Sequence, residues 1–153
     1  MSLNNKRIGN ELMDLVNYCG PINIETQYGK HMSESKCIIT LVLLNLEIKF
    51  ILDNRYPFAP PAQVFINNKD YIRIINESIP KLYRIGLELG YPQCFCCSSL
   101  LCADRWSTQV QLTRLYSEIK DVIIKKQRIM HIYFCRQIAC EKLTHDIPIE
   151  SYL

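Results

Sequence analysis

Three prolines between residues 57 and 61 set the strongest limit on how this chain folds. The segment reads Tyr56-Pro-Phe-Ala-Pro-Pro61. Because proline has no backbone N–H to donate to a neighbouring strand, this segment cannot run through the middle of a β-sheet. It predicts a rigid, extended turn that separates the elements before it from those after it.

The residues around this turn predict one helix and four strands. Residues 6–17 predict an amphipathic helix on which Glu11 faces solvent, while the apolar face carries Ile8, Leu12, Leu15 and Val16. Alternating or β-branched runs then predict an antiparallel meander of four strands, over residues 22–28, 37–44, 47–52 and 63–67.

The second half of the chain is predicted to be helical. Residues 68–90 have a helical spacing that Pro80 interrupts, which fits either a helix-turn-helix insertion or an ordered loop. Residues 108–142 keep a helical period without Gly or Pro. One straight helix of that length would measure about 50 Å, so we expect a break or a projecting end. The prediction is a single α+β domain over residues 1–146, with a tail at 147–153.

Composition narrows the class of protein. The chain has 153 residues, of which 48% are hydrophobic and 22% charged, and its net charge is +3. These values fit one globular domain, and a net charge of +3 is too small to indicate nucleic-acid binding without a clustered basic patch. No signal peptide or membrane-spanning run is recognisable, so we expect no membrane association and a location in the cytoplasm or nucleus.

Half of the eight cysteines fall between residues 94 and 102. Without a secretory signal, we expect reduced thiols. Cys94 and Cys97 form a C-x-x-C, but zinc sites usually pair two such motifs, so we expect no bound metal and no cofactor. A structural zinc site stays an alternative. So does a thiol switch, in which Cys94 or Cys96 pairs with Cys97.

Four segments, in this order, resemble ubiquitin-conjugating (E2) enzymes. The first is Lys6–Leu15, similar to the K-R-I-x-x-E-L-x-D-L of the first E2 helix. The second is the proline turn, similar to Y-P-F-K-P-P. The third is Cys97-Ser-Ser-Leu-Leu101, similar to the C-L-D-I-L that begins with the catalytic cysteine. The last is Asp104-Arg105-Trp106-Ser107, similar to W-S-P. The resemblance covers residues 6 to about 124 and implies a UBC-like fold with an active-site loop.

The resemblance also implies roles for individual residues. Cys97 would accept ubiquitin, or a ubiquitin-like modifier, from an E1 as a thioester, with Cys96 or Cys94 as substitutes if the register shifts. Gln93 is the first candidate to donate an amide hydrogen bond to the oxyanion, and Asn67 or Asn68 could donate one if the insertion folds back. Trp106 would anchor the start of the long helix. Partner contacts are implied for a RING-type E3 at Phe58, Ser107 and Thr108, and for E1 at Lys6 and Arg7. Ser107 is also expected to cap the helix.

The chain departs from the E2 pattern before the cysteine. The H-P-N tripeptide of the family is absent, and residues 87–93 occupy its place. The stretch from Phe65 to Cys97 is about twice the usual length, so residues 68–90 behave as an insertion. Two alternatives follow: a catalytically inactive E2 variant or RWD-type interaction domain, and a zinc-stabilised protein with a helical insertion.

Overall fold

The computed structural model describes residues 3–31, 34–92, 94–102 and 104–140, with side chains from residue 6 onward. Within these residues the chain is α+β, with an N-terminal helix, a five-stranded antiparallel sheet, two short helices and a long C-terminal helix. The domain boundary predicted at residue 146 and the tail predicted at 147–153 lie outside the described residues.

The strands lie side by side in chain order, each antiparallel to the next. They are β1 (Asn23–Gln27), β2 (Lys36–Leu43), β3 (Leu46–Leu52), β4 (Gln63–Ile66) and β5 (Lys69–Asp70). The predicted order is confirmed, but the predicted number of four strands is wrong. Asn67 and Asn68, both at positive φ, make a two-residue hairpin that returns the chain as β5.

One face of the sheet is buried and the other is more exposed. Alternate residues of β2 and β3 enter the core, namely Ile39, Leu41, Leu43, Ile48, Phe50 and Leu52. They share one hydrophobic cluster with Leu15 of the first helix and with Leu115 and Ile119 of the last. The helices therefore cover a single face, as the period-two alternation of the strands requires.

Helix α1 (Leu3–Cys19) is longer than the predicted residues 6–17, and its buried face includes the predicted Ile8, Leu12 and Leu15 but is shifted from Val16 toward Glu11. Glu11, expected to face solvent, is 3% exposed, whereas Val16, expected in the core, is 38% exposed. Glu11 follows Ile8 by three positions and precedes Leu15 by four, so it belongs to the inward stripe. Assigning the stripe from apolar residues alone placed Glu11 on the wrong side.

Residues 68–90, predicted to be an insertion, contain two helices after β5, one of the two arrangements predicted for them. Helix α2 (Tyr71–Asn76) follows β5 directly, and helix α3 (Pro80–Glu88) begins at the proline that interrupts the pattern. Proline suits the first position of a helix, where no N–H is required.

Helix α4 (Leu112–Ala139) has 28 residues and no break. Its first half packs on the main core, and its second half forms a separate cluster in which Ile129, Met130 and Tyr133 meet Leu82 and Ile85 of α3. The insertion thus covers the part of the helix that was expected to break or to project. Among the described residues, no helix is long and apolar enough to cross a membrane.

One charged residue, Lys126, lies on the buried face of α4 with 1% of its surface exposed. Burial lowers the pKa of its ammonium group to about 8, against the opposing influence of the Glu77 carboxylate. The folded chain therefore holds a poorly solvated charge at neutral pH, which costs stability.

Lys126→Met is expected to raise the free energy of unfolding by about 1–3 kcal/mol at pH 7, since an apolar side chain replaces a desolvated charge. Because the pKa is lowered on folding, the cost in the wild type is complete below pH 8 and fades as pH rises from 8 toward 10.5. The advantage of the variant should shrink over the same range. Urea unfolding at pH 7 and pH 10 measures both, with the exposed Lys120→Met as a matched control. If Lys126→Met raised the free energy of unfolding by the same amount at pH 7 and pH 10, desolvation of the Lys126 charge would not be the cause.

Candidate functional site

The proline turn and the segment after the cysteines are held together by Tyr56 and Trp106. The Nε1–H of Trp106 donates to the carbonyl oxygen of Pro57 at 3.0 Å. The two rings lie 5.9 Å apart between centroids and are inclined by 54°. Tyr56 is buried, and its peptide bond to Pro57 is cis. The two segments that resemble the E2 pattern most closely are therefore neighbours in the fold.

A buried carboxylate, that of Glu11, joins three elements beneath this turn. It accepts hydrogen bonds from Arg7 Nε at 2.9 Å, from the backbone N–H of Leu112 at 3.1 Å and from the hydroxyl of Tyr56. Burial, together with the neighbouring Glu11, raises the pKa of Tyr56, so its hydroxyl keeps the proton that it donates. Helix α1, the proline turn and helix α4 thus meet at one side chain.

The start of α4 differs from the prediction, which placed it at residue 108 with Ser107 as its cap. The helix begins at Leu112, and its N-cap residue Gln111 makes no side-chain capping bond. Glu11 supplies that function from another helix, because its carboxylate accepts a first-turn N–H at the positive end of the helix dipole. Trp106 consequently anchors the loop before the helix rather than the helix start.

A second carboxylate, that of Glu118 on α4, holds the loop that follows Cys97. Its oxygens accept from the backbone N–H of Leu100 at 2.7 Å, from the hydroxyl of Ser99 at 3.2 Å and from the hydroxyl of Tyr71 at 3.2 Å. Ser99 in turn accepts the N–H of Leu101 at 3.2 Å on its side-chain oxygen. Burial raises the pKa of Glu118, although these three donors and Arg105 act in the opposite direction.

The cysteine loop presents one exposed thiol, that of Cys97, beside a disulfide. Cys94 and Cys96 are bonded to each other, with their Cα atoms 5.4 Å apart. The Sγ of Cys97 lies 3.8 Å from that of Cys96. Reduced thiols were predicted for all eight cysteines, and this is wrong for Cys94 and Cys96, because a tight turn brings their sulfur atoms into bonding contact. Pairing of Cys97 with either stays a prediction.

The residues expected to contact partner proteins lie on the surface, with one exception. Phe58 is 72% exposed, and Ser107 and Thr108 are exposed on the segment that Trp106 joins to the proline turn. Lys6 is exposed on α1. Arg7 is instead engaged within the fold, since its guanidinium contacts both Glu11 and the carbonyl oxygen of Val110.

Gln93, predicted as the oxyanion donor, lies outside the described residues. Asn67 and Asn68 were weaker candidates for the same role. Asn67 is occupied elsewhere, since its Oδ1 accepts the N–H of Glu47 at 2.8 Å. Asn68 lines the more exposed face of the sheet, near Lys49 and Phe65.

Sequence reasoning did not identify Glu118 and Tyr71 as site residues and misplaced Glu11. Both carboxylates had the same signal: an acidic residue three positions after one core-facing apolar residue and four before the next. For Glu118 these flanking residues are Leu115 and Val122. An acid at such a position must meet donors inside the fold, because an unpaired carboxylate is costly to bury.

Comparison with known proteins found no match among protein-family models, curated proteins or solved structures.

Glu118→Ala is expected to lower the free energy of unfolding by about 2–4 kcal/mol, because it leaves two hydroxyls and one N–H without their acceptor. Glu118→Gln should lose less, since its amide keeps one acceptor oxygen and can donate to a hydroxyl. Hydrogen exchange at the Leu100 amide should accelerate in the alanine variant. Equal exchange at Leu100 in all three proteins would contradict the proposed anchoring of the loop.

The pH dependence of the same variants gives a second readout. Because the pKa of Glu118 is raised on folding, its contribution to stability is greatest below its ordinary value of 4.5 and declines as pH rises through the raised value. The glutamine variant should lack this decline when unfolding is compared across that range.

Proposed function

We propose that this chain has a UBC-like fold and acts in conjugation of ubiquitin or a ubiquitin-like modifier, with Cys97 as the thioester acceptor. The observation that carries the proposal is the exposed Cys97 thiol on a loop whose following residues are held by Glu118, next to a proline turn held by Trp106. The order of a helix, an antiparallel meander, a proline turn, a cysteine loop and a long helix agrees with it.

The proposed chemistry is transfer of an acyl group between sulfur atoms. The Cys97 thiolate attacks the carbonyl carbon of the E1–modifier thioester, forms a new C–S bond and expels the E1 thiolate, which takes up a proton. A lysine amine, or the thiol of an E3, then attacks the Cys97 thioester and releases Cys97 as a thiol. An exposed cysteine suits this reaction because it must be reached by two protein partners in turn.

The proposed partner surfaces follow from exposure. Phe58, Ser107 and Thr108 together offer an accessible face to a RING-type E3, and Lys6 offers one to E1. Arg7 suits E1 contact less well, because binding there would compete with its bonds to Glu11 and Val110.

A second candidate function is that of a non-catalytic E2 variant or RWD-type interaction domain. The segment before the cysteines favours it. Residues 87–93 occupy the place of H-P-N and contain neither its His nor its Asn, with Gln93 the one amide side chain among them. Leu89 and Tyr91 of that segment pack on the second cluster, between α3 and α4. Removing one oxyanion donor typically costs about 10²–10³ in rate, so an active form needs another donor.

Incubation with E1, ATP and ubiquitin, or with a ubiquitin-like modifier and its own E1, tests the proposal. The chain is first treated with a phosphine to reduce the disulfide, and the phosphine is then removed. We expect an adduct that thiols cleave. Cys97→Ser should give a thiol-resistant ester or no adduct, while Cys135→Ser, an exposed cysteine on α4, should behave as the wild type.

Two other outcomes would change either the cysteine assigned as acceptor or the function assigned to the chain. An adduct that survives in Cys97→Ser but is lost in Cys96→Ser or Cys94→Ser would move the acceptor to that residue. Absence of an adduct with every modifier, in protein shown to be folded by circular dichroism, would favour the non-catalytic function.

A further inference from the structure

The most unusual chemical feature of the surface is a group of three cysteines. Cys94, Cys96 and Cys97 each offer a sulfur atom, and these three atoms all lie within 4.8 Å of one another. Cys97 is exposed, and Cys94 and Cys96 are partly exposed, so the sulfur atoms are accessible from solvent.

We propose that, once the Cys94–Cys96 disulfide is reduced, these three cysteines bind one thiophilic d¹⁰ metal ion, with Cu(I) in three-coordinate sulfur geometry as the preferred occupant. The proposal does not depend on the function proposed above.

The spacing of the sulfur atoms fits such an ion. A metal–sulfur bond of about 2.3 Å places neighbouring sulfurs about 3.8 Å apart in a tetrahedral site and about 4.0 Å apart in a trigonal one. Cys96 Sγ and Cys97 Sγ are already 3.8 Å apart. Reduction releases Cys94 Sγ from its bond, and a binding site then requires the Cys94 and Cys96 sulfurs, whose Cα atoms are 5.4 Å apart, to open to a similar separation.

The surrounding backbone supports a metal-binding loop. The N–H of Cys96 points at Cys94 Sγ, with 3.2 Å between nitrogen and sulfur. An N–H donor of this kind stabilises a thiolate ligand by sharing its negative charge. On the other side, the N–H of Ser99 donates to the carbonyl oxygen of Cys96, and Glu118 holds Ser99 and Leu100. The loop is therefore anchored immediately after its third sulfur.

The number of ligands decides which ion is preferred. Among the described histidine, cysteine and acidic side chains, this group contains three members and no fourth. Structural zinc almost always takes four protein ligands. Soft thiolates select Cu(I), to which three sulfurs offer a complete trigonal shell. Zinc would have to complete its shell with water.

A low-molecular-weight thiol can reduce the Cys94–Cys96 disulfide before the metal ion binds. Two molecules of a low-molecular-weight thiol, RSH, supply two electrons and two protons to the disulfide, giving two cysteine thiols and RSSR. Each of the three thiols then releases its proton as its sulfur binds the ion. Metal binding and the disulfide thus exclude each other, and a bound ion would also block acylation of Cys97.

The test uses the full chain, reduced and kept free of oxygen, without E1 or ubiquitin. Cu(I) is titrated in competition with a strong Cu(I) chelator, and we expect one equivalent to be retained, with thiolate-to-copper absorption in the ultraviolet. X-ray absorption should report three sulfur neighbours at about 2.3 Å.

Variants separate this site from the other thiols of the chain. Cys94→Ser and Cys97→Ser should each weaken Cu(I) binding by more than about 100-fold, since loss of a ligand exceeds the 10- to 100-fold cost of losing an outer-shell partner. Cys135→Ser should bind as the wild type. Circular dichroism confirms that each variant is folded.

Three results would overturn the proposal. The first is equal Cu(I) retention by the wild type and by the chain with all three cysteines replaced by serine. The second is no retention by the reduced wild type against the chelator. The third comes from a parallel titration with Zn(II) or Co(II) under the same conditions. A four-coordinate complex of either ion, with no retention of Cu(I), would overturn the three-coordinate assignment. A negative thioester assay has no bearing on any of them, because binding is measured on the chain alone.

Discussion

The carboxylate of Glu11 is the interaction on which the arrangement of this fold depends. Helix α1, the proline turn and helix α4 are far apart in sequence, and each contributes one donor to it, from Arg7, Tyr56 and Leu112. An unpaired carboxylate in this place would be costly, so the three elements are held to positions at which all the donors are present. The apolar core supplies most of the favourable free energy of folding, and Glu11 makes one arrangement of that core more stable than the others.

Glu118 has a similar role nearer to the surface. It connects α4 to the loop after Cys97 and, through Tyr71, to the short helix α2. The accessible thiol is consequently carried by a loop with a fixed attachment to the longest helix. A nucleophile and a metal ligand both need a fixed backbone of this kind, since each must be exposed while its backbone stays in place.

Much of the fold could be predicted from the sequence, and the exceptions have physical reasons. Strand alternation predicted the meander, and the missing glycines and prolines predicted the long helix, because both signals are local. The fifth strand was missed because it has only two residues and depends on the turn at Asn67. The buried Glu11 and Lys126 and the half-buried Glu118 were missed because charged residues turn inward only where distant donors or carboxylates meet them. The Cys94–Cys96 bond likewise depends on how one loop turns.

The cluster between α3 and α4 links two features of the chain that look separate in the sequence. Helix α3 and the second half of α4 each have an apolar face, and each face is covered by the other. Their contact is close, since a Cβ added to Gly86 would lie 3.2 Å from Ile129 Cδ1. Removal of α3 would expose Ile129, Met130 and Tyr133 to water, and removal of the second half of α4 would expose Leu82 and Ile85. The two segments therefore form one cooperative unit, and an opening of either exposes the apolar faces of both.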